Sequence, residues 1–243
     1  MDNLVSPGVH TPDDARAEPA VRRKMRLLFE KTGPARLISH LDLMRTLQRA
    51  FARAELPLAF SEGFNPHPYL SIARPLSVGV ESRYELLDFG LADAVDPDAL
   101  PACLNCVLPA GVRVRRAYPA SEGRKSFVDI AWAGYEIRLA WGRSAAHAAD
   151  GLRALFAGGP LPVLKKSKRG EQTIDIAPLI RLFALTPEEE GLLCMDAVLA
   201  AGAASLNPSY VLEAIRRHAP ALWPDRQSVL RVSLLDADGT LFV

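Results

Sequence analysis

The residues best suited to chemistry fall in two neighbouring stretches and one distant cluster. His40 stands where a helix is expected to begin. A helix start offers free amide N–H groups and the positive end of the peptide dipole, so it suits an anion and disfavours a charged imidazolium. His40 reads either as part of a phosphate site or as a surface residue that serves helix-start geometry. Further on, Gly63-Phe-Asn-Pro-His-Pro-Tyr69 is a loop in which the glycine permits a positive φ and the two prolines stiffen the chain. Phe64 and Tyr69 could stack on bases, while Asn65 and His67 could hydrogen-bond base edges or a 2′-hydroxyl. The same loop also reads as a rigid packed turn with its aromatics in the core. Were His40 and His67 to converge, they would form the acid/base pair of a metal-independent endoribonuclease. Arg45, Arg49 and Arg53, four residues apart, make one basic row on a helix, either phosphate-binding or simply solvated. The distant cluster is Lys165, Lys166, Lys168 and Arg169 before Gly170, expected at an exposed hairpin tip. Such tips commonly contact phosphates, and a solubilising turn is the other reading.

The elements that must carry these residues can be read in outline. Ser39 and Asp42 have the spacing of a capping box, and Leu41, Met44, Leu47, Gln48 and Phe51 repeat at helical intervals. A strand over 24–30 precedes this helix. An interrupted strand over 69–80, a turn at 81–84 and a return strand over 85–92 follow it. Asp96-Pro97 then opens a second helix, and 112–118 forms a final strand. This order, βαββαβ, is that of a ferredoxin-like unit. After a linker over 121–126 the pattern recurs: strands at 127–131 and 135–141, a helix capped by Ser144, a basic hairpin, strands to residue 199, a helix from Asn207-Pro208, and a strand at 229–235. The expected fold class is α+β, with two tandem ferredoxin-like domains over 22–120 and 127–243. Residues 1–21 read as a disordered tail.

Composition excludes several classes of function. With 243 residues and 49% hydrophobic content the chain can bury a substantial core. Its net charge of +1 is unevenly spread. Between Arg22 and Arg53 nine basic residues face two acids, a local +7 against −6 elsewhere, which points to a polyanionic partner. The three cysteines, Cys103, Cys106 and Cys194, provide no disulfide framework and no iron–sulfur triad. The Cys103/Cys106 pair lacks further ligands for zinc and reads as two packed thiols. Asp175 and Asp196 are isolated strand acids without the partners a metal or glycosidase centre needs. There is no P-loop, no dinucleotide fingerprint and no nucleophile elbow. No cofactor, no metal and no membrane partner is expected, and the cytoplasm is the expected compartment.

Three longer motifs carry a family resemblance: the stretch from Leu27 to Arg45; Ser61-Glu-Gly-Phe-Asn-Pro-His-Pro-Tyr-Leu-Ser71 with Pro75-Leu-Ser-Val-Gly-Val-Glu81; and Asn207-Pro-Ser-Tyr-Val-Leu-Glu213. Over about residues 24–243 the chain resembles the radical-SAM-linked family, a domain of unknown function that occurs alone or C-terminal to a radical SAM protein. The resemblance implies an accessory role beside a radical SAM protein in RNA metabolism, and it assigns no catalytic residues. The expected function is therefore RNA binding (tRNA or rRNA) without chemistry of its own. The alternatives are the endoribonuclease and a protein–protein docking scaffold for the radical SAM partner.

Overall fold

The alternation of apolar residues along Arg23–Lys31 (β1) places Met25, Leu27 and Phe29 in the core, on every second residue of the strand. The structure is a computed structural model that describes residues 23–62, 64–120, 125–142, 145–167, 170–189 and 191–243. The expected tail over 1–21, most of the linker, Gly63, Ser144, Lys168 and Arg169 lie outside the described residues. Around β1 the first half contains His40–Arg53 (α1), Leu70–Ile72 (β2), Glu81–Leu91 (β3), Leu100–Asn105 (α2) and Val112–Pro119 (β4). The second half contains Trp132–Ala140 (β5), Ala146–Ala157 (α3), the hairpin Pro162–Ser167 (β6) with Gly170–Asp175 (β7), Ile180–Glu189 (β8), Leu192–Ala200 (β9), Pro208–His218 (α4) and Arg226–Leu235 (β10).

The fold is mixed α+β, with four α-helices among the described residues and one large sheet in the order β4-β1-β3-β10-β5-β9-β8. β2 lies outside this path, beside the far part of β3, and β6 and β7 form a separate two-stranded sheet. All strand pairings among the described residues are antiparallel except one. β3 and β10 run parallel through Glu81–Leu230 and Ser82–Arg231, and this short seam fuses the two halves. Two neighbours share the edge of β3. β2 pairs with Leu87 to Phe89, β10 pairs at Glu81 and Ser82, and residues 73–80 lead from β2 to the start of β3. Leu43, Leu47, Ala50 and Phe51 of α1 pack with Leu100 and Leu104 of α2 on the apolar residues of β1, β3 and β4. Leu152 of α3 and Val211, Ala214 and Ile215 of α4 pack on β5 and β9.

Several local expectations give way to tertiary context. Leu41, expected in the core stripe of α1, is 65% exposed, and Leu43 is buried instead. Residues 76–80 are not a strand: Arg74 (φ +45°) and Gly79 (φ +92°) turn the chain out of the sheet, and strand pairing resumes at Glu81 where a turn was expected. Residues Phe127–Asp129 form a 3₁₀ turn rather than a strand, with the Asp129 carboxylate accepting the Ser126 N–H (2.8 Å). The basic hairpin and the strand that follows it form as expected, and between them the Asp175 carboxylate accepts from the N–H groups of Leu161 (2.7 Å) and Ala177 (3.0 Å). This acid closes the base of the β6–β7 hairpin.

Candidate functional site

Helix α1 begins where the sequence indicated. The Ser39 hydroxyl accepts the Asp42 N–H (3.2 Å) and donates to the Asp42 carboxylate (2.7 Å), which together satisfy part of the helix start. The buried face of α1 points Arg45, Arg49 and Arg53 away from the core. Arg45 reaches Asp42 (3.2 Å) one turn back, and Arg53 donates to the carbonyl of Val107 (3.4 Å). The row is a cationic edge of the helix, and its first member sits beside an acid.

The aromatic loop branches from the edge of β3 at Gly90. Ala59 donates to the carbonyl of Gly90 (2.8 Å), Tyr69 to Ala59 (3.0 Å) and Gly90 to Tyr69 (3.1 Å). Past this ladder Phe60 bridges to Pro68, and Ser61 and His67 close the loop through Ser61 N–H to the His67 carbonyl (2.8 Å) and His67 N–H to the Ser61 hydroxyl (3.0 Å). The backbone is thus pinned while the side chains face outward. Phe64 is fully exposed (107%), Phe60 and Tyr69 are substantially exposed, and Asn65 is exposed. The packed-core reading of these aromatics is overturned: a large apolar ring held wholly in water does not contribute to folding. Lys165 lies on β6 near the tip of the β6–β7 hairpin, which has the expected form with Ser167 opposite Gly170. The side chain of Lys166 lies outside the described residues, as do Lys168 and Arg169.

His40 belongs to a different environment. It lines a cavity of about 10 Å³ with Lys31, Leu43, Ile72, Leu76 and Glu85, and its Nδ1 is buried without a partner. That volume suits about one water molecule. Glu85, on this cavity, and Gly90, at the anchor of the aromatic loop, are separated along β3 by roughly 17 Å at the usual rise of a strand. His40 and His67 thus lie on separate features, the small cavity and the aromatic loop.

Periodicity did not reveal a buried chain of charges next to His40. Lys31, Glu85 and Arg231 are each 1% exposed. Arg231 pairs with Glu85 and also donates to the carbonyl of Arg74 (2.7 Å). Lys31 donates to the carbonyls of Arg36 and Val80 (both 3.4 Å). Burial pulls the Lys31 ammonium below its ordinary pKa; Glu85 opposes that shift and Arg231 adds to it. Beyond Arg231, residues 74–80 and the start of α4 enclose a second cavity of about 270 Å³. Asn207 caps α4 by accepting the Ser209 N–H (2.9 Å), and its amide donates to the Ser77 hydroxyl (2.6 Å). Parts of the three motif stretches thus meet at this seam: Lys31 and His40 from the first, Pro75 to Val80 from the second, Asn207 and Pro208 from the third.

Residues 24–208 match the family described as an uncharacterized protein conserved in bacteria (DUF2344). The chain belongs to this family. No curated protein matches it. The DUF2344 match covers the arginine row, the aromatic loop, the hairpin and His40, and ends at the first residue of α4, so Arg231 lies outside it. In this DUF2344 chain Cys103 and Cys106 are exposed rather than packed, and among the described residues no three metal-ligating side chains cluster. Burial raises the Cys194 thiol to about 11, and Asp196 beside it adds to the rise, which suppresses thiolate formation there. No helix of the described residues is long and apolar enough to cross a membrane.

Proposed function

We propose that this protein is a non-catalytic RNA-binding accessory protein of a radical SAM enzyme, acting in the cytoplasm and built from two tandem ferredoxin-like units. The observation that carries the RNA reading is the Phe64 loop. A fully exposed phenyl ring stands on a backbone closed by Ser61 and His67, with Tyr69 and Asn65 exposed beside it. Aromatic platforms joined to arginines are the usual means of binding single-stranded nucleic acid, because every base has a face to stack and every nucleotide a phosphate. Arg45, Arg49 and Arg53 supply a cationic row in the same half of the molecule, and Lys165, Lys166, Lys168 and Arg169 supply the second charged element.

The tandem reading is supported by strand order. The first half runs β4-β1-β3 with β2 beyond, and the second runs β10-β5-β9-β8; each is the order 4-1-3-2 of a βαββαβ unit. Three free cysteines are in keeping with a reducing compartment. The radical SAM partnership rests on the motif resemblance. Its test is co-purification of the two proteins with and without nuclease, where absence of association in both arms rejects the partnership. RNA binding is tested by titrating the purified, nucleic-acid-free protein with single-stranded and structured RNA at low salt. No binding to either rejects it.

Docking to the partner protein is a second reading, favoured by the exposure of Leu37, Leu41 and Val78. The segments around Leu37 and Val78 are joined by the Gly79 N–H to Arg36 carbonyl bond (2.8 Å). Partner capture that survives nuclease and is abolished in Leu41→Asp would favour this surface as the docking site.

A further inference from the structure

The larger cavity at the seam is lined by two arginines, Arg74 and Arg231. Arg231 donates from its terminal nitrogens to Glu85 and to the carbonyl of Arg74, yet its Nε is buried with no partner. Arg74 donates to the carbonyls of Val128 (3.4 Å) and Ile130 (3.0 Å), and its Nε is likewise buried and unpaired. Glu85 offsets the charge of Arg231, whereas among the described residues the bonds of Arg74 run to neutral carbonyls. Tyr135 lies opposite Arg231 in the β5–β10 register, its hydroxyl meets that guanidinium, and it lines the same space, so Arg74 is the less engaged of the two arginines. The mouth is framed by exposed Ser77 and Ser205. The start of α4 adds its dipole but no free donor on its first two residues: Pro208 has no N–H, and that of Ser209 is taken by Asn207.

We propose that this cavity binds a compact organic oxyanion, a phosphate ester or a carboxylate, held by Arg74 and Arg231. Buried N–H groups without partners are rare and call for an acceptor, and a guanidinium whose charge no carboxylate offsets calls for negative charge. One oxyanion meets both demands with charge-assisted hydrogen bonds. At about 270 Å³ the space is far larger than the one-water cavity of about 10 Å³ beside His40. That is more than an oxyanion alone fills, and Pro75, Leu76, Val80 and Leu206 give the remaining wall an apolar surface for the ligand's body. The positive φ of Arg74, unusual for a side-chain-bearing residue, is the kind of local strain that collects at ligand sites. Neither the Phe64 loop nor the α1 arginine row lines this cavity, so the proposal stands apart from the RNA reading.

The test is isothermal titration calorimetry with thermal unfolding, at constant ionic strength, using glycerol 3-phosphate, benzoate and uncharged glycerol. One of the two anions is expected to bind saturably at one site per chain and raise Tm, and glycerol is not. Which anion binds identifies the class. Arg74→Gln should weaken binding roughly tenfold or more, as for removal of one charge-assisted hydrogen bond. Ala201→Leu, which narrows the cavity without removing a charge, should do the same, so the test survives if one variant fails to fold. Arg49→Gln should bind the anion as the unaltered protein does. The proposal is overturned if neither anion binds up to about 10 mM, well above the range of a specific site. It is also overturned if the folded Arg74 and Ala201 variants bind undiminished.

Discussion

Replacing Phe64 by alanine separates recognition from folding more cleanly than any other change in this molecule. The ring is fully exposed, so its removal takes no apolar surface out of the core and should leave stability within about 0.5 kcal/mol of the original. Stacking of a base on an aromatic side chain is worth about 1–3 kcal/mol by alanine substitution, so the affinity for single-stranded RNA should fall roughly 5- to 150-fold. The assay is fluorescence anisotropy with a labelled unstructured oligonucleotide at one fixed salt concentration, paired with urea unfolding of the same preparations. Phe64→Trp should retain binding and Phe64→Leu should abolish most of it, since a flat π face and not apolar bulk is required. Phe51→Ala provides the contrast. Phe51 is fully buried, with its ring centroid 4.9 Å from that of Phe89, so its removal should cost about 3–5 kcal/mol of stability. Unchanged RNA affinity in a folded Phe64→Ala would refute the stacking argument.

Three further outcomes follow from other parts of the molecule. Converting Arg45, Arg49 and Arg53 to glutamine one at a time should reduce the slope of log affinity against log salt by about 0.7 for each phosphate no longer neutralised, measured on single-stranded RNA. Removing one member of the buried Glu85–Arg231 pair should cost about 3–5 kcal/mol in urea unfolding, while Glu85→Leu with Arg231→Met should recover most of it, because the single change strands a buried charge. Asp236 accepts from Lys125 and from the N–H groups of Asp238 (3.0 Å) and Thr240 (2.9 Å), and these bonds, Lys125 foremost, hold its carboxyl below the ordinary range. Its stabilising effect should be complete above about pH 4 and vanish as pH falls through the depressed folded value, so the unfolding midpoints of the original protein and Asp236→Asn should converge in acid.

What could be read in the residues was local, and what could not depended on the partner across a gap. Ser39 with Asp42 and Asn207 with Pro208 mark helix starts because capping is settled within four residues. The β6–β7 hairpin was legible for the same reason. The choice between Leu41 and Leu43 was not, because α1 has apolar residues on both sides of its stripe and only the position of the sheet decides which are covered. Lys31, Glu85 and Arg231 were missed because periodicity assigns charges to the solvent side, whereas Arg231 pairs with Glu85 and both cations donate to nearby carbonyls although the three lie far apart along the chain. The sequence also favoured a strand through residues 76–80. The turn at Arg74 redirects that segment over the seam, where it becomes the wall of a cavity formed jointly by both halves. The aromatic loop was recognised as unusual, but its exposure depends on its branching from the edge of β3 at Gly90, a property of sheet geometry and not of the loop.

The central claim, that this chain binds RNA through the Phe64 loop and the α1 arginines, is tested most directly by a salt titration of single-stranded RNA affinity with the purified, nucleic-acid-free protein. Three arginine–phosphate contacts predict a straight log–log plot with a slope of about −2. That slope should shrink in the arginine variants and persist, at lower affinity, in Phe64→Ala. Absence of binding at about 50 mM salt, or binding that ignores salt, would contradict the account.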